Sequence, residues 1–267
     1  MKYFDPSHNR LVFFSESATP DFWDRQWQDE KLQKHVMAGI HERLVYPTTK
    51  KYLPLGSKIL EGGCGKGQFV YSLQERGYEA YGIDFAENII GQLQSLFPSH
   101  HFEIGDVRSL PYPDSSFDGY WSLGVIEHFY EGYDVILKEM SRVIRPGGYL
   151  FLTFPHMSKL RRHKARHSKF PVFSSELLRD GGFYQFALPE ESVIEDLKPY
   201  GFVPIEKRPL EGLKGAKDEL TGRLQSLLKS IYAGKNIFAQ VLSFMLARFL
   251  APYSSHSILI VLKKKES

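Results

Sequence analysis

The feature that most restricts this 267-residue chain is a glycine-rich turn, Glu61-Gly-Gly-Cys-Gly-Lys-Gly67, set between a short apolar run and a helical pattern. Lys58-Ile-Leu-Glu61 enters the turn as a strand, and Phe69 to Arg76 leaves it as a helix that ends before Gly77. Glycines at such a turn let the backbone pass close to a ligand, and the helix start offers free N–H groups. The alternation then continues. Residues 80–84 read as strand, 87–97 as helix, 101–104 and 117–123 as strands, 134–144 as an amphipathic helix and 149–154 as strand. Arg145-Pro-Gly-Gly148 before that last strand suits a type II turn. Strands and helices alternating at this pace predict an α/β fold, a parallel sheet with helices on both faces.

The flanks are less regular. Residues 1–18 lack periodicity and read as an irregular arm. Thr19-Pro20-Asp21 is a helix start, and the helix after it carries Phe22, Trp23 and Trp27. A second helix follows through Leu32, Val36, Ile40 and Leu44, interrupted near Pro47. Toward the C-terminus, 189–200 predicts a helix, 202–206 a strand and 257–262 a last strand. Between those two strands lies a helical insertion with one apolar stripe (Leu220, Leu224, Leu227, Leu228, Ile231) and a segment, 237–250, that is apolar nearly all round. Such a helix is buried, covers an apolar ligand, or touches a membrane. The expected organisation is an arm and helices over 1–53, then a ligand-binding domain over 54–267 with a helical cap at about 208–254.

Net charge is +3, and its distribution is uneven: residues 156–170 hold six Lys/Arg and no acid. This reads as a flexible basic loop at the carboxyl edge of the sheet, able to draw in a carboxylate, phosphate or nucleic acid, or merely solvated. A single cysteine, Cys64, excludes an intramolecular disulfide framework and favours a reducing compartment. No apolar run suits a secretory signal, and the stretch 236–247 is short of the ~20 residues of a bilayer span. A cytoplasmic protein is expected, with peripheral membrane contact through 236–251 as an addition.

A dinucleotide fingerprint needs a third glycine where Gln68 stands, which disfavours NAD or FAD. The turn opens instead with an acid, Glu61, which would repel a pyrophosphate and suits an ammonium group. That points to S-adenosyl-L-methionine, whose methionine end is zwitterionic and whose sulfonium is cationic. Asp84, ending the second strand, stands where an acid accepts both ribose hydroxyls. Phe85 beside it offers an adenine wall, and Asp106 in Gly-Asp-Val107 an acceptor for the adenine amino group. His163 and His167 are four apart but lie among cations, so no metal site is expected there.

Residues 59–154 resemble the class I S-adenosylmethionine-dependent methyltransferases, in the subgroup of the quinone-biosynthesis methyltransferases. The resemblance rests on ILEGGCGKG (59–67), YGIDFAENII (81–90), GDVRSLPYPDSSFDGYWSLGVIEHF (105–129) and LKEMSRVIRPGGYLFLTFP (137–155). It implies a Rossmann-like, seven-stranded sheet ordered 3-2-1-4-5-7-6 with the last strand antiparallel. It also implies that Glu61, Gly63, Gly65, Asp84, Phe85, Asp106, Val107 and Leu123 line the cofactor. His128, in the acid–histidine pair after the fourth strand, is the candidate base, or else packs its loop. Some relatives carry a third acid three residues before that pair; Gly124 stands there, so metal dependence is not expected. The reading is a methyltransferase acting on O, N or C of a small or medium organic acceptor, apolar with an anionic group. The alternatives are a non-catalytic binding module, which predicts a damaged site, and an RNA methyltransferase, for which no RNA-binding domain is legible.

Overall fold

The computed structural model describes residues 1–179 and 182–266. The chain opens with an antiparallel hairpin, β1 (Lys2–Asp5) and β2 (Arg10–Phe14). Helices α1 (Pro20–Trp27), α2 (Leu32–Ala38) and α3 (Val45–Tyr52) follow. The alternating core is β3 (Lys58–Gly62), α4 (Gln68–Gln74), β4 (Glu79–Asp84), α5 (Glu87–Leu96), β5 (His101–Ile104), β6 (Phe117–Leu123), α6 (Asp134–Val143) and β7 (Ile144–Pro155). Then come α7 (Lys159–Arg166), β8 (Phe183–Ala187), α8 (Glu190–Leu197) and β9 (Phe202–Leu210). Three helices, α9 (Gly212–Glu219), α10 (Gly222–Ala233) and α11 (Ile237–Ser254), precede β10 (Ser257–Lys264).

Seven strands form one sheet in the order β5-β4-β3-β6-β7-β10-β9, the expected 3-2-1-4-5-7-6 order, with β10 antiparallel to both neighbours. The pleat explains why its strands read as unbroken apolar runs. On β10, Ile258, Ile260 and Leu262 enter one core cluster while Leu259 and Val261 enter the other; Leu150, Leu152 and Phe154 oppose Phe151 on β7 in the same way. A strand with helices on both faces must be apolar at both parities. Gly147 takes φ +77°, as the predicted type II turn requires.

Three expectations change. The N-terminal 18 residues are not an irregular arm: β2 pairs antiparallel with β8, making a three-stranded second sheet, β1-β2-β8. Leu11 and Val12 are both wholly buried, so this strand too lacks the alternation that reveals a half-exposed one. The single helix expected over 32–44 stops at Ala38, and Pro47 sits inside the first turn of α3 instead of breaking a helix. Proline is harmless there because that N–H has no helical partner. The Glu42 carboxylate accepts instead from the N–H groups of Leu44, Val45 and Tyr46 at 2.6–2.7 Å.

The third is the basic segment, which is largely helical and largely engaged. Arg161 of α7 is fully buried and donates to Glu219 of α9 at 3.1 Å. Lys164 and Lys2 reach the same carboxylate at 3.0 and 2.9 Å. Burial alone would raise Glu219, but the three cations outweigh it and hold the carboxyl below its ordinary range. Arg162 pairs with Glu190 and Glu191. The cluster ties the N-terminal hairpin, α7 and the inserted helices together.

Candidate active site

The carboxyl ends of the parallel strands open onto a cavity of about 1140 Å³. The nine residues singled out above, Glu61, Gly63, Gly65, Asp84, Phe85, Asp106, Val107, Leu123 and His128, all line it. The volume exceeds the roughly 300–1,000 Å³ of a single small-molecule pocket and suits two ligands side by side.

The glycine turn is pinned to β4. The N–H groups of Gly63 and Cys64 both donate to the Ile83 carbonyl (2.8 and 3.1 Å), and Gly65 N–H donates to Asp84 Oδ2 at 2.8 Å. Gly63 holds φ +75°, and a β-carbon there would lie 2.6 Å from Val125 Cγ2. Gly63→Ala is therefore expected to cost about 1–3 kcal/mol through backbone strain and the displaced valine. A thermal melt showing no loss would place the turn in another conformation.

Glu61 and Asp84 are buried acids facing this space. Burial pushes the Glu61 carboxyl well above its ordinary range, and the nearby Asp84 charge adds to the effect. One of its oxygens, Oε2, has no hydrogen-bond partner. Burial also raises Asp84, partly offset by N–H donors from Ala86 and Gly65. A positive group in the cavity would favour the charged form of both. The orphaned Glu61 oxygen and the side-chain-free cradle of glycines therefore fit the cationic methionine end of S-adenosylmethionine.

Asp106 is already engaged. Its carboxylate takes a two-pronged contact from Arg108, with Nε at 2.9 Å and Nη2 at 2.6 Å. Burial pushes this carboxyl up, but Arg108 prevails and holds it below its ordinary range. A ligand amine would have to share that acid with the guanidinium.

The wall over the glycine turn comes from α1, not from the inserted helices: no described residue of α9, α10 or α11 lines the cavity. Trp23 and Trp27 stack at 5.2 Å, and Trp27 lies against Gly65. Two contacts anchor this region, Asn88 to Asp24 on α1 at 2.8 Å and Lys66 to Asp29 just beyond it at 3.0 Å. Residues 156–170 also stay away from the cavity. Its charged lining is mostly acidic, Asp21, Asp24, Glu61, Asp84, Glu87, Asp106 and Glu131 against Lys66 and Arg108. The expectation of an anionic acceptor drawn in by the basic segment loses its support.

His128 ends a short 3-10 turn, Ile126–His128, after β6. Its ring lies edge-on between Trp23 (5.0 Å) and Tyr184 (5.1 Å). Nδ1 is 2.7 Å from the Tyr184 carbonyl oxygen, which can only accept, so Nδ1 carries the proton and Nε2 keeps its lone pair. Burial lowers the imidazole to about 4, and it is neutral at pH 7. Glu127 beside it is buried and pushed up to about 8 by that burial, so it is protonated at neutral pH. Tyr184 was not among the predicted site residues: it lies at the bulge of β8, between the residues paired with Phe13 and Phe14, and its carbonyl meets the turn after β6.

Comparison with known proteins agrees with this architecture. A methyltransferase-domain family pattern matches residues 60–152. The chain is 29% identical over 203 residues to a demethylmenaquinone methyltransferase of Staphylococcus haemolyticus, covering 69% of this chain and 80% of that protein. It is 31% identical to a malonyl-[acyl-carrier protein] O-methyltransferase of Serratia marcescens, over 37% of this chain and 38% of that one. Among solved structures, an S-adenosylmethionine-dependent methyltransferase from Methanosarcina mazei superposes with a TM-score of 0.55 at 22% identity, over 83% of this chain and 99% of that chain, which bears on the fold. Sheet order, motif order and sequence similarity converge, and together they support a class I S-adenosylmethionine-dependent methyltransferase.

Proposed function

We propose that this enzyme methylates an acidic hydroxyl, an enol or phenol, on a small and largely apolar acceptor, with His128 as the base. The observation that carries the reading is the His128 ring, locked through Nδ1 on the Tyr184 carbonyl with a free Nε2, in the cavity that also holds the glycine turn. In this reading Glu61 takes the cofactor's ammonium group, Asp84 its ribose hydroxyls, Phe85, Val107 and Leu123 its apolar faces, and Asp106 the adenine amino group. The cofactor supplies an activated methyl on a sulfonium, so the transfer asks for alignment and exclusion of water more than elaborate acid–base machinery.

The chain's own contribution follows from its residues. Val125, Phe129, Tyr130, Val135 and Ile136 give the acceptor an apolar lining, and Trp23, edge-on to the His128 ring, adds an aromatic one. His128 Nε2 takes the acceptor's hydroxyl proton. A base whose conjugate acid sits near 4 is weak, which selects acidic hydroxyls over aliphatic alcohols. The same low value keeps it unprotonated through the physiological range.

A second reading has one observation behind it: the acidic lining would also attract an amine acceptor. The RNA reading is weaker, since Arg161, Arg162 and Lys164 of the basic segment are held in ion pairs. The test is labelled methyl transfer to a panel of phenols, enols and amines. His128→Asn is expected to lower kcat on hydroxyl acceptors by about 10²–10⁴-fold, with cofactor affinity unchanged. The acid limb of kcat/KM should fall near pH 4, well below the ordinary histidine range. Turnover of amines alone, insensitive to His128→Asn, would favour the second reading.

A further inference from the structure

The inserted helices do not cap the cavity, and the outward face of α11 is its most apolar one. Ile237, Phe238, Val241, Phe244, Met245 and Phe249 fall at i, i+1, i+4, i+7, i+8 and i+12, one stripe of a helix, and all are exposed. Phe249 is 82% exposed and Ile237 78%. The opposite side, with Leu246, Ala247 and Leu250, packs on Leu213, Ala216 and Leu228. The helix is thus held by its inner face while the outer one has no partner among the described residues. On α10, Leu224 and Leu227 are exposed as well.

The charge around this face has one sign. No Asp or Glu occurs from residue 220 to residue 265, while Arg223, Lys229, Lys235 and Arg248 lie on or beside the two helices, all exposed. A face of bulky apolar side chains flanked only by cations is complementary to a bilayer surface carrying anionic lipids. A second copy of the chain would bring like charges together around the same patch.

Length alone would allow another arrangement. Past Arg248 the helix continues to Ser254, 18 residues of mean hydropathy 1.3, longer than the 12-residue stretch legible in the sequence. Its surroundings exclude spanning. Its C-terminal turn is packed on α9, where a β-carbon on Gly215 would overlap the Ser254 carbonyl oxygen, and Ser254 Oγ donates to the Gly212 carbonyl at 3.0 Å. Immediately after, β10 enters the sheet between β7 and β9. A helix fixed in this way can lie in an interface and cannot cross one.

We infer that the outer face of α11, with its flanking cations, docks this enzyme on anionic membrane surfaces. Ser257 at the start of β10 pairs with Pro155 at the end of β7, so α11 joins the sheet at the carboxyl edge, the edge that carries the cavity. Docking there keeps the catalytic end of the sheet near the lipid surface.

The test is flotation of the full-length protein with vesicles of phosphatidylcholine alone or with one quarter phosphatidylglycerol. Binding to the anionic vesicles is expected to exceed binding to the neutral ones by about tenfold or more, falling with added salt. The triple variant Phe238→Glu, Phe244→Glu, Phe249→Glu should lose it while keeping its circular dichroism spectrum and cofactor affinity. The variant with Arg223, Lys229, Lys235 and Arg248 changed to Gln should lose the lipid-charge preference. Absence of flotation at moderate salt overturns the proposal, as does flotation unchanged by the triple variant. A concentration-dependent dimer in sedimentation velocity, abolished by that variant and accompanied by no flotation, would assign the face to a second copy instead.

Discussion

Alanine at position 84 is expected to weaken S-adenosylmethionine binding by about 10²- to 10⁴-fold. Asp84 is the acid ending β4, buried and lining the cavity between the glycine turn and Phe85. A hydrogen bond to a charged group contributes about 1.5–3 kcal/mol, and two ribose hydroxyls would each make one. Every 1.4 kcal/mol is a factor of ten. The residue has a second role that must be separated from the first. Its carboxylate accepts from Gly65 N–H at 2.8 Å and Ala86 N–H at 3.0 Å, so alanine also leaves two backbone donors without a partner. Asp84→Asn separates the two roles in part: its single acceptor oxygen can serve one of the two N–H groups, which bind different oxygens of the aspartate, so it should recover part of the stability but little of the affinity. Calorimetric titration of both variants, with a melt of each, reads the two effects apart. A folded Asp84→Ala protein binding at wild-type strength would remove the cofactor from this end of the cavity.

Glutamine in place of Glu127 should make the protein more stable above pH 8 by roughly 3–5 kcal/mol, with little change at pH 5. Burial lifts the folded-state carboxyl to about 8 against an ordinary 4.5. Between those values the native protein holds a proton that the unfolded chain has released. Stability in the wild type therefore falls as pH rises through this window, and each tenfold difference in proton affinity between the two states is worth about 1.4 kcal/mol. Glutamine carries no ionisable group and removes that slope. His128 acts in the opposite direction over a lower range: its folded value of about 4 lies below the ordinary 6.5, so the unfolded chain binds the extra proton and stability falls as pH drops from about 6.5 toward 4. Urea unfolding of wild type and Glu127→Gln at pH 5, 7 and 9 isolates the glutamate. A constant difference across the three would mean that Glu127 is ionised throughout.

These two neighbours bear on catalysis as well. With Glu127 protonated and His128 neutral, the pair after β6 carries no charge at pH 7, a suitable environment for an apolar acceptor. Of the acids lining the cavity, Glu61, Asp84 and Asp106 stand at or just past the ends of β3, β4 and β5, while Asp21, Asp24, Glu87 and Glu131 come from the surrounding segments.

Much of this was written into local sequence. The run from Ile59 to Pro155 alternates strand, turn and helix with glycine at the turn, and Glu61, Asp84 and Asp106 stand at or just past the ends of its first three strands; that pattern gives the α/β fold and a turn suited to a ligand with an ammonium group, while the sheet order and the full set of lining residues follow from the resemblance to the class I methyltransferases. That information is local because a strand–turn–helix unit needs only its own residues to bring Glu61, Gly63 and Gly65 to a ligand. What surrounds the unit depends on contacts between distant parts of the chain. The strand character of residues 2–14 becomes visible only when β2 pairs with β8, about 175 residues later, and β8, held just past its end at Leu188 by Pro155 and Met157 as well, brings the Tyr184 carbonyl to His128. The basic stretch around Arg161 reads as a free loop in the sequence, and only the fold brings Glu219 of α9 to Arg161 and Lys164, and Glu190 and Glu191 to Arg162. The apolar helix α11 suggested a lid by its position in the chain, and only the packing of α9 against its inner face shows that it turns its phenylalanines outward, away from the cavity. Periodicity reports which residues share a face; which partner that face meets is decided by the tertiary fold, since burial depends on what the rest of the chain places opposite it.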